Sequence, residues 1–195
     1  ISSVGVARAE GTYVFGVATT VDGGRVIDFL NVTETVAARG FVPEHSSIGI
    51  SGGIASETVD VAVGLVALNG LDVGGTLHLA FPPSFDLTQA VLVSAPGAFS
   101  AAGGQPTLTI VGSTLVVARA NGSAAISGGQ AVNLTEFVFG GIRNPPAPGA
   151  YGNVTVELRN DAGLVTDRSQ IVPVPASLVA ALDGIAVTST DATAG

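Results

Sequence analysis

The chain has 195 residues, of which 47% are hydrophobic and 11% charged, and its formal charge is −8. That balance supplies material for a buried core and argues against disorder, while seven Arg, no Lys and no basic run give nothing to follow a phosphate backbone, so nucleic acid is not an expected partner. The absence of Cys removes disulfides, thiolate nucleophiles and cysteine-based zinc sites, and no apolar stretch reaches the roughly 20 residues that span a bilayer.

The chain opens with ISSVGVARAEGTYVFGVATT, without Met and without a basic flank leading into an apolar stretch. It does not read as a signal peptide, and a start at Ile1 suggests a mature form whose targeting segment is gone. From Tyr13 the sequence alternates: Tyr13, Phe15 and Val17 on one side, Val14, Gly16 and Ala18 on the other, with Val4 and Val6 among small residues before them. This is strand material, and a strand needs partners for its backbone N–H and C=O groups. Residues 1–20 are therefore expected to form an N-terminal strand segment and a candidate donor strand, with Val4, Val6, Tyr13, Phe15 and Val17 as its interface side chains. Residues 21–195 are expected to form a β-sandwich. Within the leading segment, Tyr13 to Thr20 is expected to pair inside its own chain and Ile1 to Ala9 to pair with another copy. A turn at Glu10-Gly11 would allow the whole segment to be an ordinary hairpin instead.

Turn signals follow at Asp22-Gly23-Gly24, Asn69-Gly70, Gly103-Gly104, Asn121-Gly122, Gly128-Gly129 and Asp161-Ala162-Gly163. Between them lie short runs of period two. Val59, Val61, Val63 and Leu65 share a face, as do Leu77, Leu79 and Phe81, then Leu108 and Ile110, then Val154, Val156 and Leu158. Asn144-Pro145-Pro146-Ala147-Pro148-Gly149 reads as a stiff loop. Val172-Pro173-Val174-Pro175 should lie at a sheet edge or outside the sheet, because Pro cannot donate to a ladder. ASLVAALDG places Leu178 and Leu182 on one face and stops at Gly184, which predicts a helix of about two turns at most. Many short strands with glycine turns predict an all-β, immunoglobulin-like antiparallel β-sandwich with at most one short helix.

No residue is assigned to catalysis, a cofactor or a metal, and the chain is not expected to be an enzyme. GISGG places Ser51 in a G-x-S-x-G pattern, but that motif needs a helix after the Ser and a later acid and His, whereas a strand pattern follows here. His45 and His78 are the only histidines and stand at no metal-ligand spacing; Asp60, Asp72, Asp86, Glu136 and Glu157 are scattered singly. Trp is absent, so an aromatic platform for sugars is unsupported. N-x-[ST] occurs at Asn31, Asn121, Asn133 and Asn153, more often than chance suggests. These are candidate acceptors for N-linked glycan and favour an extracellular or cell-surface location.

LDVGGTLHLAFPPSFDLTQAVL and STLVVARANGSAAISGGQAVNLTEFVFGGIRNPPAPGAYGNVTVELRNDAG together resemble a recurring immunoglobulin-like unit of large surface proteins, over about residues 57–171. The resemblance implies a sandwich and no catalytic residue. The whole chain also resembles protomers of extracellular helical fibrils and pili assembled by donor-strand exchange, although it lacks the disulfide usual in chaperone–usher pilins. That resemblance implies a pilus-like homo-polymer in which the N-terminal strand of one subunit completes another. Unblunted edges agree with it, since the chain has no Lys with which to protect them. The alternative is a monomeric adhesin or ligand-binding domain of a larger cell-surface protein.

Overall fold

A computed structural model describes residues 9–20, 26–100, 104–126 and 131–180. Val4 and Val6 lie outside the described residues. The strands are β1 (Gly11–Thr20), β2 (Val26–Val36), β3 (Ser47–Ile50), β4 (Thr58–Gly64), β5 (Val66–Ala67), β6 (Thr76–Ala80), β7 (Val91–Ser94), β8 (Thr107–Val111), β9 (Thr114–Ala118), β10 (Val132–Asn133), β11 (Phe137–Arg143), β12 (Gly149–Ala150), β13 (Val154–Arg159), β14 (Val165–Ile171) and β15 (Ser177–Leu178). Among the described residues the only helical element is a 3-10 turn at Pro43–His45.

Two antiparallel sheets face each other, one ordered β3-β4-β11-β7 and the other β14-β13-β6-β9-β8. Period-two sequence makes this possible. Val59, Val61 and Val63 of β4 are buried while the residues between them are exposed. Leu77, Leu79, Leu115, Val117, Val154, Val156 and Leu158 supply the facing layer from the other sheet. Phe137 and Phe139 are fully buried, and the Phe99 ring meets Phe137 edge-on at 5.0 Å. At about 1.5–3 kcal/mol for each large apolar side chain buried, this layer dominates the energetics. The antiparallel β-sandwich is thus the observed fold.

β11 would lose its inward face after Phe139 if it ran regularly. Its register against β4 shifts between Phe139 and Ile142, and Gly141 takes φ 74°. The extra residue returns Ile142 to the core, where it is fully buried.

The expected helix after Pro175 is not formed over its described part. Ser177–Leu178 is β15, paired with β12, and Leu178 is buried. The Leu178/Leu182 spacing suits a helix, but here the backbone finds partners on neighbouring strands: the Val179 amide donates to the Gly53 carbonyl at 2.7 Å. Residues 181–184 lie outside the described residues. The Pro-rich stretch before β15 sits at a sheet edge as expected, with Val174 in a parallel bridge to Gly49.

Candidate functional site

β1 pairs with β2 over their whole length, from Gly11 opposite Val36 to Thr20 opposite Val26, and the pair forms a sheet of its own. Tyr13 to Thr20 thus pairs within the chain. Directly opposed residues share a face. One face combines Tyr13 and Phe15 with Glu34, Val32 and Leu30; Val17 of β1 stands opposite Leu30 in the register. The other combines Val14, Gly16 and Ala18 with Thr33, Asn31 and Phe29. Val14, Phe29 and Leu30 are each 63% exposed. The Phe29 ring covers Gly16 so closely that a Cβ there would meet it at 3.0 Å. An aromatic laid over a strand glycine supports the ribbon locally, yet large apolar groups face solvent on both sides.

The ribbon is tied to the sandwich at its root. The Glu10 amide donates to the Val165 carbonyl at 2.7 Å, and Tyr13 Oη donates to the Ala9 carbonyl at 2.9 Å. Arg168 donates to both Glu10 carboxylate oxygens at 3.0 Å and to Glu157 at 2.7 Å. Burial works against the Glu157 carboxylate, but hydrogen bonds and charge from Arg159 and Arg168 outweigh it and hold its pKa low. A cleft of about 670 Å³ lies at this root, lined by Thr12, Thr35, Val36, Leu164 and Arg168 among others. Beneath the chain leaving β2, Asp167 is fully buried. Its Oδ1 accepts from the Leu68 amide at 3.2 Å, whereas Oδ2 has no partner among the described residues. Burial pushes its carboxyl above the usual range, only partly offset by those hydrogen bonds.

The four outer edges of the sandwich are treated differently. β3 is covered: the Ile50 amide donates to Val174 and the Val174 amide to Ile48, both at 2.8 Å. β14 is covered by Glu10 and by Arg39, whose carbonyl accepts from the Arg168 amide at 2.6 Å. β7 pairs only with β11 and β8 only with β9, and among the described residues no further backbone hydrogen bond reaches their outer edges. These two open edges lie on the same flank. Leu92 and Leu108 pack against the core there, half-buried. Ile110 shares the core face, since its cross-strand neighbour Leu115 is fully buried, yet Ile110 is 36% exposed because nothing described covers it.

The other candidates fall elsewhere. Asn31, Asn121, Asn133 and Asn153 are all exposed, on β2, in a turn, on β10 and just before β13. Ser51 Oγ accepts from the Asp60 amide at 2.9 Å and so helps close the β3–β4 hairpin. Neither histidine hydrogen-bonds to it among the described residues: His78 lies on β6 in the opposite sheet, bonded to Thr76 at 3.0 Å, and His45 is exposed in the 3-10 turn. No group of three acidic or His side chains that could hold a metal is found among the described residues. No described helix is long and apolar enough to cross a membrane. Sequence reasoning missed β2 as the partner of β1, although Asp22-Gly23-Gly24 between two β-rich runs was the available signal. It also missed the open flank, which only the strand order reveals.

No family model matches the chain, and no curated protein matches it. Solved structures do. A non-cellulosomal cohesin from Archaeoglobus fulgidus aligns at 11% identity over 66% of this chain and 91% of that one, with a TM-score of 0.34. A type I cohesin–dockerin complex from Clostridium thermocellum aligns at 10% identity over 72% and 99%, with a TM-score of 0.35. Likenesses of this size bear on neither partner nor activity.

Proposed function

We propose that the chain is a structural subunit of an extracellular, pilus-like filament, which polymerises when its N-terminal β segment inserts into another copy. The exposed ribbon carries this reading. A two-stranded ribbon is marginal on its own in water, and this one holds Val14, Phe29 and Leu30 largely in solvent. A second copy docked against it would bury that surface. Residues 1–8 lead into the ribbon, and their Val4 and Val6 alternate as a strand does. Exposed sequons at Asn121, Asn133 and Asn153 would carry glycan on the outside of such a fibre, whereas Asn31 shares the ribbon face with Val14 and Phe29 and would have to stay unmodified for that face to dock.

The test is negative-stain electron microscopy of the full chain and of a chain lacking residues 1–8. The full chain should form fibres; the shortened chain should remain folded without forming any. Fibres of normal length from the shortened chain would refute the role of that segment. A full chain that sediments as a monomer at micromolar concentration would instead favour a ligand-binding module. That second reading has one observation behind it: a cleft of about 370 Å³ lined by Ser56, Thr58, Asp86, Thr88, Gln89 and Arg143.

A further inference from the structure

We infer that the cleft between the bulge of β11 and the loop before β7 binds an acidic sugar, a hexuronate whose carboxylate meets Arg143 and whose hydroxyls meet Asp86. The inference goes beyond the fibre reading and does not depend on it, because one copy holds the whole site. The cleft has a volume of about 370 Å³, within the range of small-ligand sites. Three departures from a regular sandwich meet there. β11 bulges between Phe139 and Ile142, with Gly141 at φ 74° pressed so close to the Gln89 carbonyl that no Cβ fits. The chain before β7 makes an isolated antiparallel bridge to the end of β11: the Asp86 amide donates to the Arg143 carbonyl at 3.0 Å, and the Arg143 amide to that of Asp86 at 2.9 Å. Ser56 takes φ 63°, a left-handed conformation uncommon for a residue with a Cβ. Bulges and strained residues concentrate where a fold aims side chains at a ligand.

What they aim is a pair of opposite charges kept apart. The Ser56 amide donates to the Pro145 carbonyl at 2.9 Å, and the Ser56 carbonyl accepts from Arg143 Nε at 3.0 Å. Arg143 is exposed, and its two Nη groups have no hydrogen-bond partner among the described residues. Asp86 Oδ1 accepts from the Thr88 amide at 2.9 Å and the Thr88 hydroxyl at 2.7 Å, while Oδ2 accepts nothing among the described residues. Those two bonds, and after them the Arg143 charge, hold the Asp86 carboxyl below the ordinary carboxylate range. Yet the described ion pairs join only Glu157 with Arg159 and Arg168, and Arg168 with Glu10; Asp86 and Arg143 do not close one. The rest of the lining selects the ligand. Beside the two charges stand Ser56, Thr58, Thr88 and Gln89 and, among the described residues, no aromatic or wholly aliphatic side chain. An apolar ligand finds nothing to bury against. A free amino acid would match both charges but leave the hydroxyls and the amide unpaired. A hexuronate satisfies both sets. Its carboxylate suits the planar fork of Arg143, and its ring hydroxyls can donate to Asp86 Oδ2 and exchange hydrogen bonds with Thr58 and Gln89. With no ring to stack on, binding rests on hydrogen bonds and one charge pair, which places Kd near about 1 mM.

Saturation-transfer NMR on the full chain reads millimolar ligands on single copies and fibres alike, so assembly does not decide the outcome. D-glucuronate should receive saturation, while glycine and D-glucuronamide should bind about tenfold more weakly or worse. The amide lacks only the charge, so it tests the Arg143 contact without altering the protein. Arg143→Gln and Asp86→Asn should each weaken D-glucuronate about tenfold and melt within a few degrees of wild type, since both side chains are exposed and the bridge between them is backbone. Arg143→Lys, which keeps the charge without the fork, should also bind less tightly than wild type. No saturation of D-glucuronate would overturn the inference. Equal binding of D-glucuronamide would show that the carboxylate is not read, and equal binding of glycine that the two charges alone decide; either would overturn the assignment to a sugar acid. Variants that fold and bind D-glucuronate like wild type would place the sugar elsewhere and overturn the site.

Discussion

Replacing Val14, Phe29 and Leu30 together by Thr tests the ribbon without touching the core. Thr keeps the strand propensity and removes most of the apolar surface. Each of the three side chains is 63% exposed in the single copy, so the replacement should leave the sandwich close to its original stability, as exposed substitutions do, within about 0.5 kcal/mol each. Assembly is a different matter. Full burial of such a side chain is worth about 1.5–3 kcal/mol; taking the exposed 63% of that for three residues gives about 3–6 kcal/mol lost per contact. At 1.4 kcal/mol per tenfold, the critical concentration should rise by about two to four orders of magnitude. Pelleting across a concentration series measures it, and thermal melting followed by circular dichroism confirms that the fold is intact. Variants restricted to Val14 and Phe29, or to Leu30, then report which face of the ribbon is covered. A triple variant that melts normally and assembles at the wild-type critical concentration would refute the reasoning, because the ribbon's apolar groups would then be buried by nothing.

Three further outcomes are expected. Phe137→Ala empties a fully buried position against Phe99 and Phe139 and should cost about 3–5 kcal/mol in urea unfolding. Gly141→Ala should destabilise by about 1–3 kcal/mol or more, because φ is 74° there and a Cβ would overlap the Gln89 carbonyl oxygen. Asp167 sets a pH dependence. Its folded pKa is raised by burial, so as pH rises the unfolded chain releases the proton first, and the stability present below the ordinary Asp value of about 3.9 is lost as pH passes through the raised folded value. Asp167→Asn should flatten that part of a melting-temperature profile; an unchanged slope would place the titration elsewhere.

Much of the sandwich was legible because half-buried strands write their burial into alternate residues. Val59, Val61 and Val63, or Leu77 and Leu79, have one placement that buries them all, and the structure adopts it. β8 was legible as a strand but not as an open edge, since its Leu108 and Ile110 alternate as in a covered strand. Edge and centre differ only in pairings that join residues far apart in sequence. The same limit misled the reading after Pro175: Leu178 looks like one side of a helix until the β3 edge and β12 are placed beside it. Asp167 carried no local sign of its burial either, because the backbone that encloses it comes from Leu68 and from the chain around Arg39. Of the expected interface side chains, Tyr13 and Phe15 fall on the ribbon, Val17 stands opposite Leu30 there, and Val4 and Val6 precede the described residues.

The cover of β3 has a consequence for synthesis. Its partner, Val174, leaves the ribosome long after Gly49, with which it pairs. At about 5–20 residues per second the delay is roughly 6–25 s. Through that interval a nascent chain already able to assemble β3 and β4 presents a bare, Lys-free rim to other nascent chains. A truncation that stops short of Val174 makes the interval permanent, so chaperone demand should rise at that point in the chain rather than in proportion to its length.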